Sequence, residues 1–243
     1  MDPAMSLAGT WAVVRQAAAR LVLPLVLLYA VMVGLGMLIT RVVDDVWPLT
    51  VEDDLNRQLV TERGGTSDAI SKVFSTLADT HVVIGITAVI ALALYVTSRN
   101  WREPAFLIGA VAAQSIIFVL TTLMIDRERP AVEHMDVSPP TSSFPSGHTS
   151  AAIALYVGVG LVMAARCTTR RGRWTWLALL VSIPIGVALT RMYRGMHHPS
   201  DVVGSLVNAT TVLFIMARGF LDRTVHWGRE KVGAVREAVA ART

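Results

Sequence analysis

Six apolar runs, each long enough to cross a lipid bilayer, dominate this chain of 243 residues. A helix needs about 20 apolar residues to span roughly 30 Å of hydrocarbon. The runs predict membrane-spanning helices over residues 21–40, 80–98, 104–125, 150–166, 174–192 and 202–221. The predicted fold is therefore all-α: an integral membrane bundle of six transmembrane helices, with residues 1–243 forming a single domain.

Composition supports this class and excludes others. Apolar residues make up 53% of the chain, which exceeds the usual share in a water-soluble domain. A single cysteine, Cys167, rules out an intramolecular disulfide and a cysteine-based zinc site. The net charge of +4 comes from arginines in short loops between apolar runs, so we expect no nucleic-acid partner.

The basic residues also predict an orientation. With the N-terminus in the cytoplasm, 14 of the 22 lysines and arginines lie on the inner side, six of them from Arg218 onward. Cytoplasmic loops carry this excess in membrane proteins. We expect a bacterial plasma-membrane protein with both termini inside and a basic cytoplasmic tail over residues 222–243.

The segment between the first two runs, 41–79, is the longest outer connection. It carries eight acidic residues, and the stretch VEDDLNRQLV has helical spacing. Charge runs usually mark solvated faces, which favours an amphipathic connector in contact with water. The alternative is that this segment lines a substrate site.

Three polar segments emerge at the outer ends of the predicted spans: TTLMIDRERP, SSFPSGHTS and TRMYRGMHHPSD. In the last of them His197 precedes Asp201 by four residues, a spacing that can place both on one helical face. A carboxylate bonded to one ring nitrogen fixes the histidine tautomer and leaves the other nitrogen free to attack phosphorus. The alternative is that Asp201 only caps a helix beside a surface histidine.

The PSGH segment can bind an anion. The backbone amides of Ser146, Gly147 and His148 precede the fourth span, and a helix N-terminus favours negative charge. His148 can also protonate a leaving oxygen. Taken alone, PSGH is equally typical of a turn with a helix cap.

Three arginines lie beside these histidines: Arg127, Arg129 and Arg191. A guanidinium group binds phosphate oxygens with two parallel hydrogen bonds. Arginines at helix ends also anchor proteins at lipid headgroups, and this alternative stays open for each one.

Together these motifs resemble those of the type 2 phosphatidic acid phosphatase (PAP2) superfamily of membrane lipid phosphatases. The family motifs read Lys, six residues, Arg-Pro; then PSGH; then Ser-Arg, five residues, His, three residues, Asp. Residues 145–148 match the second motif completely, and Arg191, His197 and Asp201 match the third at full spacing. Arg129 and Pro130 match the end of the first.

The resemblance implies a role for each matched residue. His197 would form a phosphohistidine, Asp201 would orient it, and His148 would be the acid for the leaving group. The phosphate would be bound by Arg129, Arg191, Ser146 and Gly147. The resemblance also implies that no metal and no other cofactor takes part.

Two positions depart from the family pattern. Thr122 stands where the first motif has lysine, and Arg127 is the nearest replacement for that cation. Thr190 replaces the serine of the third motif and keeps the hydroxyl group. Taking His198 as the nucleophile would break both intervals of the third motif, so His198 is interpreted as a rim residue.

These features predict hydrolysis of a lipid phosphate at the outer membrane face, with the lipid tail remaining in the bilayer. Polyprenyl diphosphate, phosphatidate and phosphatidylglycerol phosphate all fit as substrates. The alternatives are a lipid phosphotransferase and a catalytically idle membrane binding or scaffold protein. A transporter fits less well, because the ionisable residues cluster at one face. The sequence gives no indication of oligomeric state.

Overall fold

The computed structural model describes residues 15–43, 46–138 and 140–222. The predicted basic tail therefore lies almost entirely outside the described residues. Six of the described helices are long and apolar enough to span a membrane. They are α1 (Arg15–Arg41), α4 (Thr80–Ser98), α5 (Arg102–Met124), α6 (Gly147–Arg166), α7 (Arg170–Tyr193) and α8 (Pro199–Leu221). The six predicted spans are confirmed.

Two shorter helices lie between α1 and α4: α2 (Glu52–Thr61) and α3 (Gly65–Leu77). Helix α2 confirms the helical spacing seen in the acidic segment. Helices α6 and α8 each begin three residues before the predicted boundary, at Gly147 and Pro199. The motif residues Gly147, His148 and Asp201 therefore belong to regular helices, at one end of the bundle.

The spanning helices are apolar around most of their circumference, and this pattern suits a bundle in lipid. Their inner faces form a core that includes the fully buried Phe106, Leu107 and Leu155. Their outer faces expose large apolar side chains such as Leu92 and Leu123. Such a surface is stable against hydrocarbon and unfavourable in water.

Phe144 fixes the PSGH segment to the bundle. Its ring is fully buried, and it packs between Gly36 of α1 and Gly204 of α8. A Cβ atom at Gly204 would lie 2.3 Å from the ring, and one at Gly36 would lie 3.1 Å from it. Only glycine permits this approach, which brings the start of α6 against the start of α8.

Helices α2 and α3 bury several polar side chains against the rest of the protein. Glu52 and Asn56 of α2, and Ser71 and Ser75 of α3, are buried. Several apolar side chains of the same helices, including Leu55, Ile70 and Val73, are exposed. The expectation of a solvated acidic connector holds in part: Asp54 is exposed, whereas Glu52 contacts the motif loops.

We predict that Gly204→Ala destabilises the bundle. The added methyl group would collide with the Phe144 ring, which has no free space to move into, and overpacking of this kind costs about 1–3 kcal/mol. The midpoint of thermal unfolding in detergent should fall by several degrees. Gly34→Ala is the matched control, because a Cβ there meets nothing within 4 Å. Equal midpoints for Gly204→Ala and wild type would contradict the packing argument.

Candidate active site

The three polar segments predicted to converge do meet at one end of the bundle. The loop between α7 and α8 carries His197, and the loop between α5 and α6 wraps against it. Backbone hydrogen bonds join them: Ser146 N donates to Asp201 O at 3.3 Å, and Met135 N donates to Arg194 O at 3.1 Å. Residues from these two loops and from the adjoining ends of α6, α7 and α8 thus surround one histidine.

His197 is 5% exposed, and its Nδ1 lies 2.8 Å from the carbonyl oxygen of Ser143. A carbonyl oxygen only accepts, so Nδ1 carries the proton and Nε2 keeps its lone pair. Burial lowers the pKa of His197 to about 4, against the opposing effect of Asp201, and the charges of Arg191 and Arg129 lower it further. The ring is therefore neutral at pH 7, as a nucleophile must be.

Asp201 lies next to the His197 ring without a direct hydrogen bond of normal length. Its Oδ2 is 3.6 Å from His197 Nδ1. The same oxygen accepts hydrogen bonds from Ser143 Oγ and, at 2.8 Å, from the backbone N–H of His198. Both sequence interpretations of Asp201 hold in part, because the carboxylate caps α8 and also faces the histidine.

Arg127 makes a different set of contacts from the one expected. Its Nη1 donates to Asp201 Oδ1 at 2.5 Å and to Ser200 Oγ at 2.7 Å, and its Nη2 donates to Glu52 Oε2 at 2.9 Å. Both terminal nitrogens are therefore engaged by protein groups. The structure corrects the prediction of Arg127 as a phosphate ligand, because its guanidinium group is occupied in holding Asp201.

Arg129 is the less engaged of the two neighbouring arginines. Its Nη1 donates to the carbonyl oxygen of Met196 at 2.8 Å, next to His197. Its Nε is buried and has no hydrogen-bond partner in the described part of the chain. Burial lowers the pKa of Arg129, partly offset by the charge of Asp201. A buried cation with an unsatisfied donor is suited to bind an incoming anion.

Arg191 is held by a residue that the sequence motifs did not indicate. Its Nη1 donates to Asp136 Oδ2 at 2.6 Å and to Ser75 Oγ at 2.8 Å, and its buried Nε has no partner among the described residues. Asp136 also binds Arg194 at 2.7 Å. One carboxylate thus orients two arginines of the third motif.

At the start of α6, Ser146 has a different role from Gly147 and His148. Ser146 is fully buried, caps the helix through Oγ and Thr149 N, and gives its own amide to Asp201 O. The prediction of Ser146 as a phosphate ligand is therefore corrected. The amides of Gly147 and His148, the first residues of α6, have no acceptor within the described ranges.

Gly147 and His148 both face crowded surroundings. A Cβ at Gly147 would lie 2.8 Å from the ring of Phe118, so a larger residue would push the helix start outward. His148 is close enough to Arg191 and His197 for their charges to interact with its ring. The two histidines of the motifs are therefore at one site.

Gly195 shapes the loop that carries His197. Its φ angle is +72°, in the left-handed region that favours glycine. A Cβ there would also lie 2.8 Å from the carbonyl oxygen of Glu133. The turn allows Met196 N to donate back to Arg191 O at 3.0 Å and places His197 above the start of α8.

Residues 104–224 match the family model described as the PAP2 superfamily. The chain belongs to the PAP2 superfamily. It is 28% identical over 145 residues to undecaprenyl-diphosphatase BcrC of Bacillus subtilis (strain 168), a match that covers 57% of this chain and 70% of BcrC. It is thus a member of a family of membrane lipid phosphatases.

Two solved structures have a fold similar to that of this chain. The crystal structure of a transmembrane PAP2-type phosphatidylglycerolphosphate phosphatase from Bacillus subtilis superposes with a TM-score of 0.71 at 17% identity, covering 84% of this chain and 98% of that one. The crystal structure of LpxE from Aquifex aeolicus superposes with a TM-score of 0.53 at 20% identity, covering 70% of this chain and 98% of LpxE.

A cavity of about 510 Å³ lies beside the first PAP2 motif. Thr122, Arg129 and Ser142 contribute to its lining, and it opens near the exposed Leu123 at the C-terminal end of α5. Thr122 donates its hydroxyl proton to the carbonyl oxygen of Val119 at 2.8 Å. The position that holds lysine in the family motif therefore carries an uncharged side chain in this PAP2 protein.

Several residues of this PAP2 site were missed from the sequence: Ser143, Ser200, Arg194, Asp136 and Glu52. The first three are within four residues of the motifs, and that proximity was the available signal. Asp136 lies in an irregular loop with no pattern of its own. Glu52 lies in the acidic segment that was interpreted as solvated.

His198 was assigned to the rim of the site. Its Nε2 lies 3.3 Å from Asp53 Oδ1, on the side of α2.

In the described residues, no group of three or more His, Cys, Asp or Glu side chains is arranged to hold a metal ion. The expectation that no cofactor takes part stays a prediction.

We predict that Asp136→Asn destabilises the protein in a pH-dependent way. Burial acts to raise the pKa of Asp136, but hydrogen bonds and charge from Arg194 and Arg191 outweigh it and hold the pKa well below its usual value. The carboxylate therefore stabilises the folded state above about pH 4, the pKa of an unfolded aspartate, and this contribution is lost as the pH falls further. At pH 7 the midpoint of unfolding should fall by about 5 °C.

The measurement is thermal unfolding of wild type and variant between pH 7 and pH 3. The difference in midpoint should narrow below about pH 4, since Asp136 of the unfolded wild-type chain then takes up a proton while the folded carboxylate, with its lowered pKa, stays ionised. Asp54→Asn is the matched control, because Asp54 is exposed and pairs only with Arg57 three residues away. A gap that stays constant down to pH 3 would refute the role of charge at Asp136.

Proposed function

We propose that this protein hydrolyses a phosphomonoester or diphosphate of a membrane lipid at the outer membrane face, through a phosphohistidine intermediate on His197. The observation that carries the proposal is the neutral, buried His197, with its Nδ1 proton fixed by Ser143 O. Beside it stand Arg129 and Arg191, whose Nε donors are buried and unsatisfied within the described part of the chain. Membership of the PAP2 superfamily supports the same reaction class.

In the first step Nε2 of His197 attacks phosphorus and the bond between phosphorus and the lipid oxygen breaks. His148 donates a proton to that leaving oxygen. Attack makes the imidazole ring cationic, and the Asp201 carboxylate, 3.6 Å from Nδ1, stabilises the new charge. In the second step His148 accepts a proton from water, whose oxygen attacks phosphorus, and the N–P bond breaks to release phosphate.

Four groups are suited to stabilise the charge on the equatorial phosphate oxygens. Arg129 and Arg191 supply guanidinium donors, and the amides of Gly147 and His148 supply donors at the N-terminus of α6. Preorganised donors of this kind act strongly where water is excluded. In this mechanism Arg127 and Ser146 hold the site together and do not contact phosphate.

The position of the site at the outer helix ends favours a lipid substrate. A chain in the bilayer can lie along the exposed apolar faces while its phosphate reaches His197. The named relatives act on an undecaprenyl diphosphate, as BcrC does, or on phosphatidylglycerolphosphate, as the Bacillus phosphatase does. Polyprenyl diphosphate, phosphatidate and phosphatidylglycerol phosphate therefore all stay candidate substrates.

We predict that His197→Ala abolishes phosphate release. The test uses detergent-purified protein and a panel of lipid phosphates, with and without chelator, and the variant should be slower by at least about 10³-fold because the nucleophile is absent. His81→Ala is the matched control and should keep wild-type activity, since its side chain is exposed and pairs with Asp79 at the start of α4. Activity that survives His197→Ala would refute the nucleophile, and loss of activity with chelator would point to a metal.

Product analysis in the same assay separates hydrolysis from phosphoryl transfer to another alcohol. Wild-type protein that releases no phosphate from any lipid would favour the idle binding protein. Both alternatives are thereby decided by one set of samples.

We predict that Thr122→Lys strengthens substrate binding. The new ammonium group would lie at the cavity that Arg129 lines and would add a charge-assisted bond to phosphate, lowering KM by about tenfold. Thr122→Met, which has similar length and no charge, is the control and should leave KM unchanged. A KM for Thr122→Lys that equals the control would show that position 122 does not face the phosphate.

A further inference from the structure

Glu52 joins the outer segment of the chain to the catalytic end of α8. It is the first residue of α2, and its side chain is 9% exposed. Oε1 accepts a hydrogen bond from the backbone N–H of Ser200 at 2.7 Å. Oε2 accepts from Ser200 Oγ at 2.8 Å and from Arg127 Nη2 at 2.9 Å. Both oxygens are thus bonded to groups next to Asp201.

Arg127 links Glu52 to Asp201. Its Nη2 donates a hydrogen bond to Glu52, and its Nη1 donates one to Asp201 Oδ1 at 2.5 Å. Asp201 in turn receives the backbone N–H of His198 and lies 3.6 Å from His197 Nδ1. A continuous set of charge-assisted hydrogen bonds therefore runs from α2 to the loop that carries the histidine.

The charges of this set also matter for the reaction. Glu52 and Asp201 are both negative, Arg127 is positive, and the three side chains are 9%, 0% and 12% exposed. The group therefore has a net charge of minus one next to a ring that becomes positive when it attacks phosphorus. Without the charge of Glu52, Arg127 would neutralise Asp201, and the cationic ring would lose stabilisation.

We propose that Glu52 is a positioning residue for the phosphatase reaction, acting through Arg127 and Ser200 to hold Asp201 and the His197 loop in the geometry of attack. The inference rests on the proposed function. Glu52 does not contact substrate in this account. Its effect therefore falls on the chemical step, and binding by Arg129 and Arg191 is left intact.

The test is the kinetics of Glu52→Gln in the full-length protein, with phosphate release measured over a range of lipid phosphate concentrations. Glutamine keeps the shape and one acceptor oxygen but removes the charge. We expect kcat to fall by about 10- to 100-fold, as small displacements of catalytic groups do, with KM within about twofold of wild type. Glu52→Asp keeps the charge and should recover part of kcat.

Asp54→Asn is the matched control on the same helix. Asp54 is 60% exposed and pairs with Arg57, away from the Asp201 set. Its kcat and KM should equal those of wild type. The midpoint of thermal unfolding is measured for every variant, so that a loss of fold is separated from a loss of rate.

A double-mutant cycle with Arg127→Met decides whether Glu52 acts through Arg127. If it does, Glu52→Gln should slow the Arg127→Met variant by a smaller factor than it slows wild type, since only the contacts with Ser200 remain to be lost. The inference is overturned if Glu52→Gln keeps the wild-type kcat, if KM rises instead, or if the two single effects multiply. Wild-type protein with no phosphatase activity would overturn the proposed function as well, and this outcome is distinct from the other three.

Discussion

The carboxylate of Asp201 is fully buried at the end of the bundle where the motif loops meet, and several surrounding groups donate hydrogen bonds to it. An ionised carboxylate without partners cannot be kept in such a place, and loss of one partner from a buried pair costs about 3–5 kcal/mol. Ser143, Arg127 and the His198 amide meet this requirement directly. Ser143 and Arg127 lie in the loop between α5 and α6, and His198 lies in the loop between α7 and α8. The hydrogen bonds to this one carboxylate therefore hold the two loops together.

The second charge cluster repeats this arrangement around Asp136. Here a carboxylate from the long loop binds Arg191 and Arg194, while Ser75 and Ser71 of α3 complete the arginine hydrogen bonds. Arg191 is thus held in place before any phosphate arrives. Preorganisation of this kind lowers the cost of rearrangement during a reaction.

The sequence was sufficient for the six spans, because long apolar runs have few alternatives in a membrane protein. It was insufficient for α2 and α3, because the rule that polar residues meet water predicts an exposed position for every charged or polar residue of these helices. Leu55 and Ile70 are exposed, while Glu52 and Ser71 are buried on the side that faces the polar site. Hydropathy alone cannot distinguish these two orientations of an amphipathic helix.

For the site, the fixed spacings located His197, Asp201, His148 and Arg191 correctly in one place. Spacing could not show which arginines were already occupied, and Arg127 and Arg129 are only two residues apart in sequence. Their different roles follow from tertiary contacts with Glu52 and Met196. Asp136 was beyond reach for the same reason, since nothing local marks a carboxylate whose partners lie on two other helices.

The buried polar side chains of α2 and α3 have a consequence for the evolution of this protein and its relatives. Glu52, Ser71 and Ser75 lie outside residues 104–224, yet they bind arginines that lie inside that range. A substitution of either partner leaves the other partner as a buried polar group without this hydrogen bond. Positions 52 and 127 are therefore expected to vary together, and an outer segment transplanted from a relative will be compatible only with the arginines it evolved beside.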